Sequence, residues 1–454
     1  MAFNSLPFLF LFMPLALAGW RLVRPRKNAL IFMIVASYTF YAFAAGWLAL
    51  LMLVSTTVDF TVGILLDREE RPARRKLILL LSLAFNLGLL SFFKYFNFFI
   101  ASVNDVAGRT VLQTALHIAL PAGISFYTFQ SMGYSIDVYR RDLAPSRSFI
   151  EFAAFVSLFP QLIAGPIVRP GALLPQLHDS QPIDNSRVTS GLMLFTCGLL
   201  KKVMVADRLA FYADPILNAP KLYGSLDLWL SMVGFSLQIY FDFSGYTDMA
   251  RGLGRMLGLE LTKNFDSPYH ASSPSDFWTR WHITLSSWLR DYLYIPLGGN
   301  RKGKTRTDIN LMITMLLGGL WHGAGWNFII WGGFHGTLLL VFHRIEAPWK
   351  RLSKLVQHAV MVPLILLSWV PFRMHTFADL ATFLHRGSFR PDPPTAPWQL
   401  WVYCVLGVSL CALPKNSNAI DWELGWRETL AFAVLAVVAI LHLNLSSKFI
   451  YFAF

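Results

Sequence analysis

Two histidines between positions 240 and 336 have surroundings suited to acid–base chemistry. The first to consider is His322, in the sequence LWHGAG, where Gly319 and Gly323 lie on either side of it. Small neighbours allow a backbone or a ligand to approach closely, and an imidazole with a pKa of about 6.5 can act as a general base near neutral pH. His322 is therefore a candidate base in a cavity, although a histidine that only hydrogen-bonds a neighbouring helix fits the same pattern.

The second histidine, His282, belongs to a pattern that predicts a helix over residues 278–294. Tryptophans and leucines recur on one face at helical spacing, whereas His282, Ser286 and Arg290 follow one another every four residues on the other face. Two interpretations remain open. The segment is either an interfacial helix with a tryptophan belt or a polar wall that lines a cytoplasmic vestibule.

Three other groups each allow a functional and a structural interpretation. We interpret His335, in WGGFHG, as structural. The side chains of Asp242, Asp248 and Arg251 lie in or beside an apolar segment, so they could form the proton relay of a transporter or an ion pair that holds a bent helix. The octapeptide GGNRKGKT at 298–305 matches the phosphate-binding loop G-x-x-x-x-G-K-[ST], but an apolar segment follows at once. We interpret it as a basic turn that could attract an anionic phosphorylated donor.

The elements that must position these side chains are membrane helices. Of the 454 residues, 55% are hydrophobic and only 14% are charged, against about 25% charged in an ordinary soluble domain. Apolar runs of roughly 18–22 residues are long enough to cross a hydrocarbon core as helices. This composition excludes a water-soluble globule and predicts an all-α polytopic membrane protein. The net charge of +13 reflects basic residues clustered between apolar runs, as in cytoplasmic loops, so nucleic acid is not an expected partner.

The positions of the charges predict how several segments meet the membrane. Basic residues follow the first apolar run, near 3–20, so we expect an uncleaved first span with an outside N-terminus. The segment 276–297 contains charges too costly for a lipid-facing span and should lie in the membrane plane or re-enter. His322 follows the basic turn 301–306 by about 15 residues, which places it roughly 20 Å inward along a helix. We expect residues 1–454 to form one membrane-embedded domain with broken helices in its central half.

Metal and disulfide chemistry is not predicted. The three cysteines, Cys197, Cys404 and Cys411, lie within apolar stretches and have neither disulfide nor metal-ligand spacing. Neither an H-E-x-x-H helix nor a G-x-S-x-G elbow occurs in the sequence, so a zinc enzyme and a hydrolase triad are unsupported.

Several long motifs occur in a characteristic order. They are FDFSGYTDMARGLGRMLG, NFDSPY, DFWTRWHITLSSWLRDYLYIPLGGNRKG and LWHGAGWNFIIWGGFHG, joined by FPQLIAGPI at 159–167 and the terminal FIYFAF. Together they resemble the membrane-bound O-acyltransferase family, and within it the bacterial branch of alginate O-acetylation proteins. The resemblance covers most of the chain.

The resemblance implies a ring of about eleven or more transmembrane helices, with re-entrant helices around a central tunnel. It implies that His322 is the principal catalytic histidine and that His282 is the second, on the cytoplasmic side. We expect Trp321, Gly325, Asn327, Ser286 and Arg290 to line the tunnel. The implied reaction passes an acetyl group across a bacterial inner membrane to an exported polysaccharide such as alginate.

The expected partners follow from that reaction. Acetyl-CoA is the expected donor, and a periplasmic acetyltransferase is the implied protein partner. Membrane lipid is expected to surround the chain, and neither a bound cofactor nor a metal is expected. Three alternatives remain open. A D-alanyl transfer protein of the teichoic-acid type would use a carrier-protein thioester, a transporter would couple solute to protons, and a scaffold would serve a polymer-export complex without catalysis.

Overall fold

The computed structural model describes residues 1–112, 120–179, 183–374, 376–388, 392–413, 416–419, 425–443 and 450. Within these ranges every regular element is a helix and no strand occurs, which confirms the predicted all-α class. The chain divides into two compact units, Met1–Phe195 with Met249–Thr262 and Thr196–Asp248 with Lys263–Phe454. A single membrane-embedded domain over 1–454 stays a prediction. The terminal motif FIYFAF lies outside the described residues, apart from Ile450.

The helices of the first unit begin after a π-helical turn at Phe8–Phe12. In chain order they are α1 Met13–Leu22, α2 Arg26–Ala45, α3 Ala49–Arg68, α4 Pro72–Leu90, α5 Phe96–Ala107, α6 Ile124–Arg140, α7 Phe149–Ser157, α8 Phe159–Leu162, α9 Pro170–His178 and most of α10 Asn185–Leu200.

Most of the second unit follows a π-helical segment, Lys201–Ala206. Its helices are α11 Asp207–Asn218, most of α12 Ser225–Met256, α13 Pro274–Arg280, α14 Ile283–Leu289, α15 Lys304–His322, α16 Trp326–Lys350, α17 Lys354–Arg373, α18 Phe377–Arg386, α19 Trp398–Cys411 and α20 Trp426–Leu441.

Five helical segments in the described part of the chain are long and apolar enough to cross a membrane. They are Arg26–Arg68, Pro72–Ala107, Asn185–Asn218, Trp326–Lys350 and Lys354–Arg373. These segments support a multi-pass membrane protein, because a helix needs about 20 apolar residues to span the hydrocarbon core. The count of about eleven spans in a ring stays a prediction.

A buried polar cluster joins three helices of the first unit. The carboxylate of Asp59 on α3 accepts hydrogen bonds from Ser82 Oγ at 2.7 Å, Asn86 Nδ2 at 2.9 Å and Ser135 Oγ at 3.0 Å. Ser82 and Asn86 belong to α4, and Ser135 belongs to α6. Because each donor meets an acceptor within a buried environment, the cluster ties these helices together without leaving a polar group to lipid.

Buried ion pairs hold α12 against the segment that precedes α11. Lys202 Nζ lies 2.7 Å from Asp242 Oδ1 and 2.7 Å from Asp207 Oδ1, and Lys201 Nζ lies 2.6 Å from Asp248 Oδ2. Of the two interpretations suggested by the sequence, these contacts favour ion pairing between helices. The cations in contact are lysines of the π-helical segment.

The two helices that flank the candidate site, α15 and α16, approach each other closely through glycines. A β-carbon added at Gly319 would collide with the carbonyl oxygen of Phe328, and one added at Gly332 would collide with that of Met315. Only glycine permits this backbone approach. Of the glycines around His322, Gly319 therefore serves the packing of α15 against α16. This agrees with the prediction that small residues beside His322 let a backbone approach closely.

Candidate active site

His322 is the last residue of α15 and lies among aromatic rings. Its side chain is 4% exposed, and its ring centroid lies 5.2 Å from that of Trp321, 5.0 Å from that of Trp331 and 5.5 Å from that of Phe372. Such edge-on contacts restrict rotation of the imidazole. The site therefore contains an imidazole whose orientation is fixed by its neighbours, at the end of a long helix.

A cavity of about 710 Å³ leads to His322 within the second unit. One stripe of α15 lines it: Thr307, Leu311, Thr314, Gly318 and His322. These residues recur every three or four positions, so they share one face of the helix. From the first to the last of them the cavity follows α15 for about 22 Å at 1.5 Å per residue. It thus runs from the basic turn before α15 to the imidazole.

The predicted continuous helix over 278–294 is wrong, because the chain breaks at Trp281 and His282. The first helical piece, α13, ends at Arg280 and α14 begins at Ile283. Between them His282 adopts a left-handed backbone conformation with φ 42° and ψ 54°. The break is stabilised from outside the segment, because Asn264 accepts hydrogen bonds from the first amides of α14.

The break separates the three polar residues that were predicted to share one face. Ser286 and Arg290 line the cavity, whereas His282 is not among its lining residues and is completely buried. Arg290 begins a π-helical turn, Arg290–Tyr294, a rare conformation that is frequent at functional sites. Its side chain is 65% exposed and pairs with Asp291 at 2.7 Å. Of the predicted polar wall, Ser286 of α14 and Arg290 of the π-helical turn therefore line the cavity and His282 does not.

The two histidines nevertheless lie side by side. The ring centroids of His282 and His322 are 6.3 Å apart, and Trp321 packs against both, at 5.8 Å and 5.2 Å. The Nδ1 atom of His282 lies 3.1 Å from the side-chain oxygen of Asn264. The fold thus brings together two imidazoles from separate motifs, one beside the cavity and one buried behind it.

The other three residues expected to line the tunnel lie outside the cavity lining. Trp321 is buried against the two imidazoles, and Gly325 and Asn327 lie at the start of α16. None of the three is among the residues that line the cavity. Trp321 can therefore orient the rings, while Ser286, Arg290 and His322 can contact a substrate in the cavity.

His335 lies in an aromatic stack. Its ring is nearly parallel to that of Phe277, with centroids 5.7 Å apart and an interplanar angle of 7°. It also contacts Trp331 at 4.8 Å and does not line the cavity. This position suits the structural role that we assigned to His335.

The sequence motif at 298–305 forms the turn that precedes α15. Gly298, Gly299 and Gly303 have positive φ angles, and Asn310 donates a hydrogen bond to the carbonyl oxygen of Gly299 at 3.0 Å. Across the residues that the structure covers there is no strand before this turn. A phosphate-binding loop requires such a strand, so the interpretation as a basic turn is the one that fits.

Sequence reasoning missed two residues of the site. Trp331 on α16 lines the cavity and contacts His322, and Asn264 contacts His282 from 18 positions upstream. Helical periodicity singles out neither residue, and no local motif indicates which histidine each of them contacts. Among the described residues no group of three or more His, Cys, Asp or Glu side chains is placed to hold a metal ion.

The family model and the similar proteins agree on one family. The model of the membrane-bound O-acyltransferase family matches residues 38–365. A probable alginate O-acetylase, AlgI, of Azotobacter vinelandii is 42% identical over 398 residues, covering 86% of this chain and 78% of that protein. The peptidoglycan O-acetyltransferase of Helicobacter pylori is 34% identical and covers 100% of this chain and 97% of that protein.

A more distant similarity extends to a teichoic acid D-alanyltransferase of Bacillus subtilis, which is 28% identical over 51% of this chain and 61% of that protein. The family match spans well over half of the sequence and includes both histidine motifs. The chain is an O-acyltransferase and belongs to the membrane-bound O-acyltransferase family.

Proposed function

We propose that the protein transfers an acetyl group from a cytoplasmic thioester donor to an exported polysaccharide, with His322 as the general base. The observation that carries this proposal is the position of His322 at the end of the cavity along α15. An acyl thioester on an extended arm can enter beside the basic turn and reach the imidazole. The relatives named as O-acetylases of alginate and of peptidoglycan support acetyl as the acyl group and a polysaccharide as the acceptor.

Acyl transfer from a thioester requires a base more than it requires activation of the donor. A thioester is already reactive, so the difficult step is removal of the proton from the attacking hydroxyl. In the proposed step His322 takes that proton while the hydroxyl oxygen bonds to the acyl carbon. The C–S bond then breaks, and the imidazolium returns a proton to the departing thiolate. General-base catalysis of this kind is typically worth about 10²–10⁴ in rate.

The central test is replacement of His322. The variants His322→Ala and His322→Gln should abolish acetylation of the polymer, by at least about 100-fold, while the amount of protein in the membrane stays unchanged. The measurement is ester-linked acetate on purified polymer, alongside immunoblotting of membranes. Near-normal acetylation in either variant would refute the role of His322 as the base.

For His282 we propose a positioning or donor-side function. The ring lies behind the cavity and next to His322, so it can influence the base without lining the passage. The variant His282→Ala should lower transfer of labelled acetyl, uptake of the donor, or both. Normal uptake together with transfer at the full rate would exclude this function.

We propose acetyl-CoA as the donor. The cavity begins near a turn with several lysines and arginines, at 301–306, which suits an anionic phosphorylated molecule. Purified protein in lipid vesicles should take a labelled acetyl group from acetyl-CoA. Transfer only from a loaded carrier protein would favour the D-alanyl type, and movement of solute without formation of an ester would favour a transporter.

The proposed setting is a bacterial inner membrane, with a periplasmic acetyltransferase as the partner that completes delivery. An exopolysaccharide such as alginate is the first candidate acceptor, because the alginate O-acetylases have the higher identity. Peptidoglycan is a second candidate, because the relative named for it matches the chain over its full length. Acetate analysis of both polymers in a strain that lacks the protein distinguishes the two.

A further inference from the structure

The completely buried side chain of Asn264 connects three groups around the break between α13 and α14. Its Oδ1 atom lies 3.1 Å from His282 Nδ1, 3.2 Å from the backbone nitrogen of Thr284 and 3.0 Å from Thr284 Oγ1. Its backbone oxygen accepts a hydrogen bond from the amide of Ile283 at 2.9 Å. One residue thus serves the first two amides of α14 and the ring of His282.

The contact with Thr284 settles the orientation of the Asn264 amide. A backbone N–H can only donate, so the amide atom that it meets must be the oxygen and not the NH₂ group. The oxygen in turn can only accept, and therefore the Nδ1 atom of His282 must carry the hydrogen that points at it. A neutral imidazole has one protonated and one unprotonated nitrogen. The basic lone pair of His282 is accordingly on Nε2.

The backbone of His282 also depends on Asn264. A left-handed conformation is unfavourable for a residue with a side chain, and such conformations persist where the surroundings over-determine them. Here the hydrogen bonds from Ile283 and Thr284 to Asn264 hold the chain immediately after His282. Loss of those acceptors would release both the backbone and the ring.

We propose that Asn264 is a positioning residue, which holds His282 as the Nδ1-protonated tautomer so that Nε2 is its proton-accepting atom. The catalytic consequence rests on the function proposed above. A histidine held in this way can accept a hydrogen bond or a proton at Nε2 and cannot donate one there until it is protonated. The second histidine therefore acts beside His322 as an acceptor.

Two substitutions separate the effect on the ring from an effect on folding. Asn264→Asp keeps oxygen acceptors for Thr284 and for His282 but introduces a negative charge. Asn264→Leu has a similar size and removes every side-chain acceptor. The control is Asn86→Leu, which removes the buried asparagine of α4 from the Asp59 cluster of the first unit, whereas both histidines belong to the second unit.

The pH profile of acetyl transfer reports on His282 in the aspartate variant. The ring of His282 packs against Phe243, Phe265, Trp321 and His322 and contacts Asn264. His322 is the titratable side chain among these, and the ion pair of Lys201 with Asp248 lines the same small cavity as Asn264. A carboxylate beside an imidazole favours its protonated form. Asn264→Asp should therefore move the acid limb of the kcat profile to higher pH and recover transfer on the alkaline side.

In Asn264→Leu, kcat should fall at least about tenfold at every pH with little change in the KM for the donor, because the tautomer is no longer held. Asn86→Leu should lower thermal stability and leave kcat and its pH profile as in the wild type. Wild-type kcat and pH profiles in both Asn264 variants would overturn the proposal.

A spectroscopic measurement is independent of activity. In ¹⁵N-histidine NMR of the full-length protein in lipid, with His282→Gln used to assign the signal, His282 should show a protonated Nδ1 and an unprotonated Nε2. The signal should lose this preference in Asn264→Leu. The opposite tautomer in the wild type would also overturn the proposal. Full transfer activity in His322 and His282 variants would instead refute the proposed function and leave the tautomer result intact.

Discussion

His322 and His282 differ in their access to the cavity, and this difference divides their roles. His322 lines the passage, whereas His282 is completely buried behind it. Only the former can contact a hydroxyl in the cavity as the structure stands. The left-handed backbone of His282 costs about 1–2 kcal/mol, and the hydrogen bonds that Asn264 accepts from Ile283 and Thr284 offset that cost. A strained residue that is held in this way indicates a selected geometry at the site.

His335 provides a prediction at the same scale, because its position is that of an aromatic packing residue. His335→Phe keeps a flat ring against Phe277 and Trp331, so acetyl transfer should remain within about twofold of wild type, and stability should be unchanged or higher. His335→Ala leaves a hole in the stack and should destabilise the protein by about 2 kcal/mol or more. Thermal unfolding in detergent and the acetate assay test both. Loss of transfer in His335→Phe with normal stability would show a chemical role instead.

At the scale of elements, the sequence predicted helices that follow from local periodicity. It did not predict the break in a helix that depends on a residue distant in the sequence. The helix that leads from the basic turn to His322 was predicted by counting residues, and α15 indeed runs from Lys304 to His322. The depth of His322 in the membrane stays a prediction. The helix over 278–294 was predicted from an intact amphipathic period, yet it breaks at His282. The acceptors that favour the break belong to Asn264, outside the segment. No property of residues 278–294 alone contains that information.

The stripe of α15 gives a second prediction, since Gly318 lines the cavity one turn before His322. A β-carbon at Gly318 would already lie 3.1 Å from the side chain of Leu289. Gly318→Leu should therefore fill the passage and lower transfer at least about tenfold, as a displaced substrate loses its productive geometry. Gly88→Leu on α4 is the matched control, because a β-carbon there meets no atom within 4 Å. Equal activity of the two variants would mean that the donor does not pass along α15.

At the scale of the whole molecule, composition predicted a helical membrane protein but could not give the number of crossings. Hydropathy marks five segments. It does not mark α15, whose mean hydropathy is lowered by Arg306, Asp308, Asn310 and His322. His322 faces the cavity, Asn310 bonds the neighbouring turn, and Asp308 pairs with Arg344 of α16. Helices that build a site within a membrane are therefore the ones that hydropathy identifies least well.

The proposed direction of transfer depends on the side of the membrane on which the basic turn lies. Clustered lysines and arginines favour the cytoplasmic side, so a thiol introduced by Lys302→Cys should react with a membrane-impermeant maleimide in inverted vesicles and not in intact cells. Leu317→Cys, on an exposed apolar position of α15, should remain unlabelled in both, since a thiol in an apolar setting stays protonated and unreactive. Reaction of Lys302→Cys in intact cells would place the entrance of the cavity outside and would rule out acetyl-CoA from the cytoplasm as the donor that enters along α15.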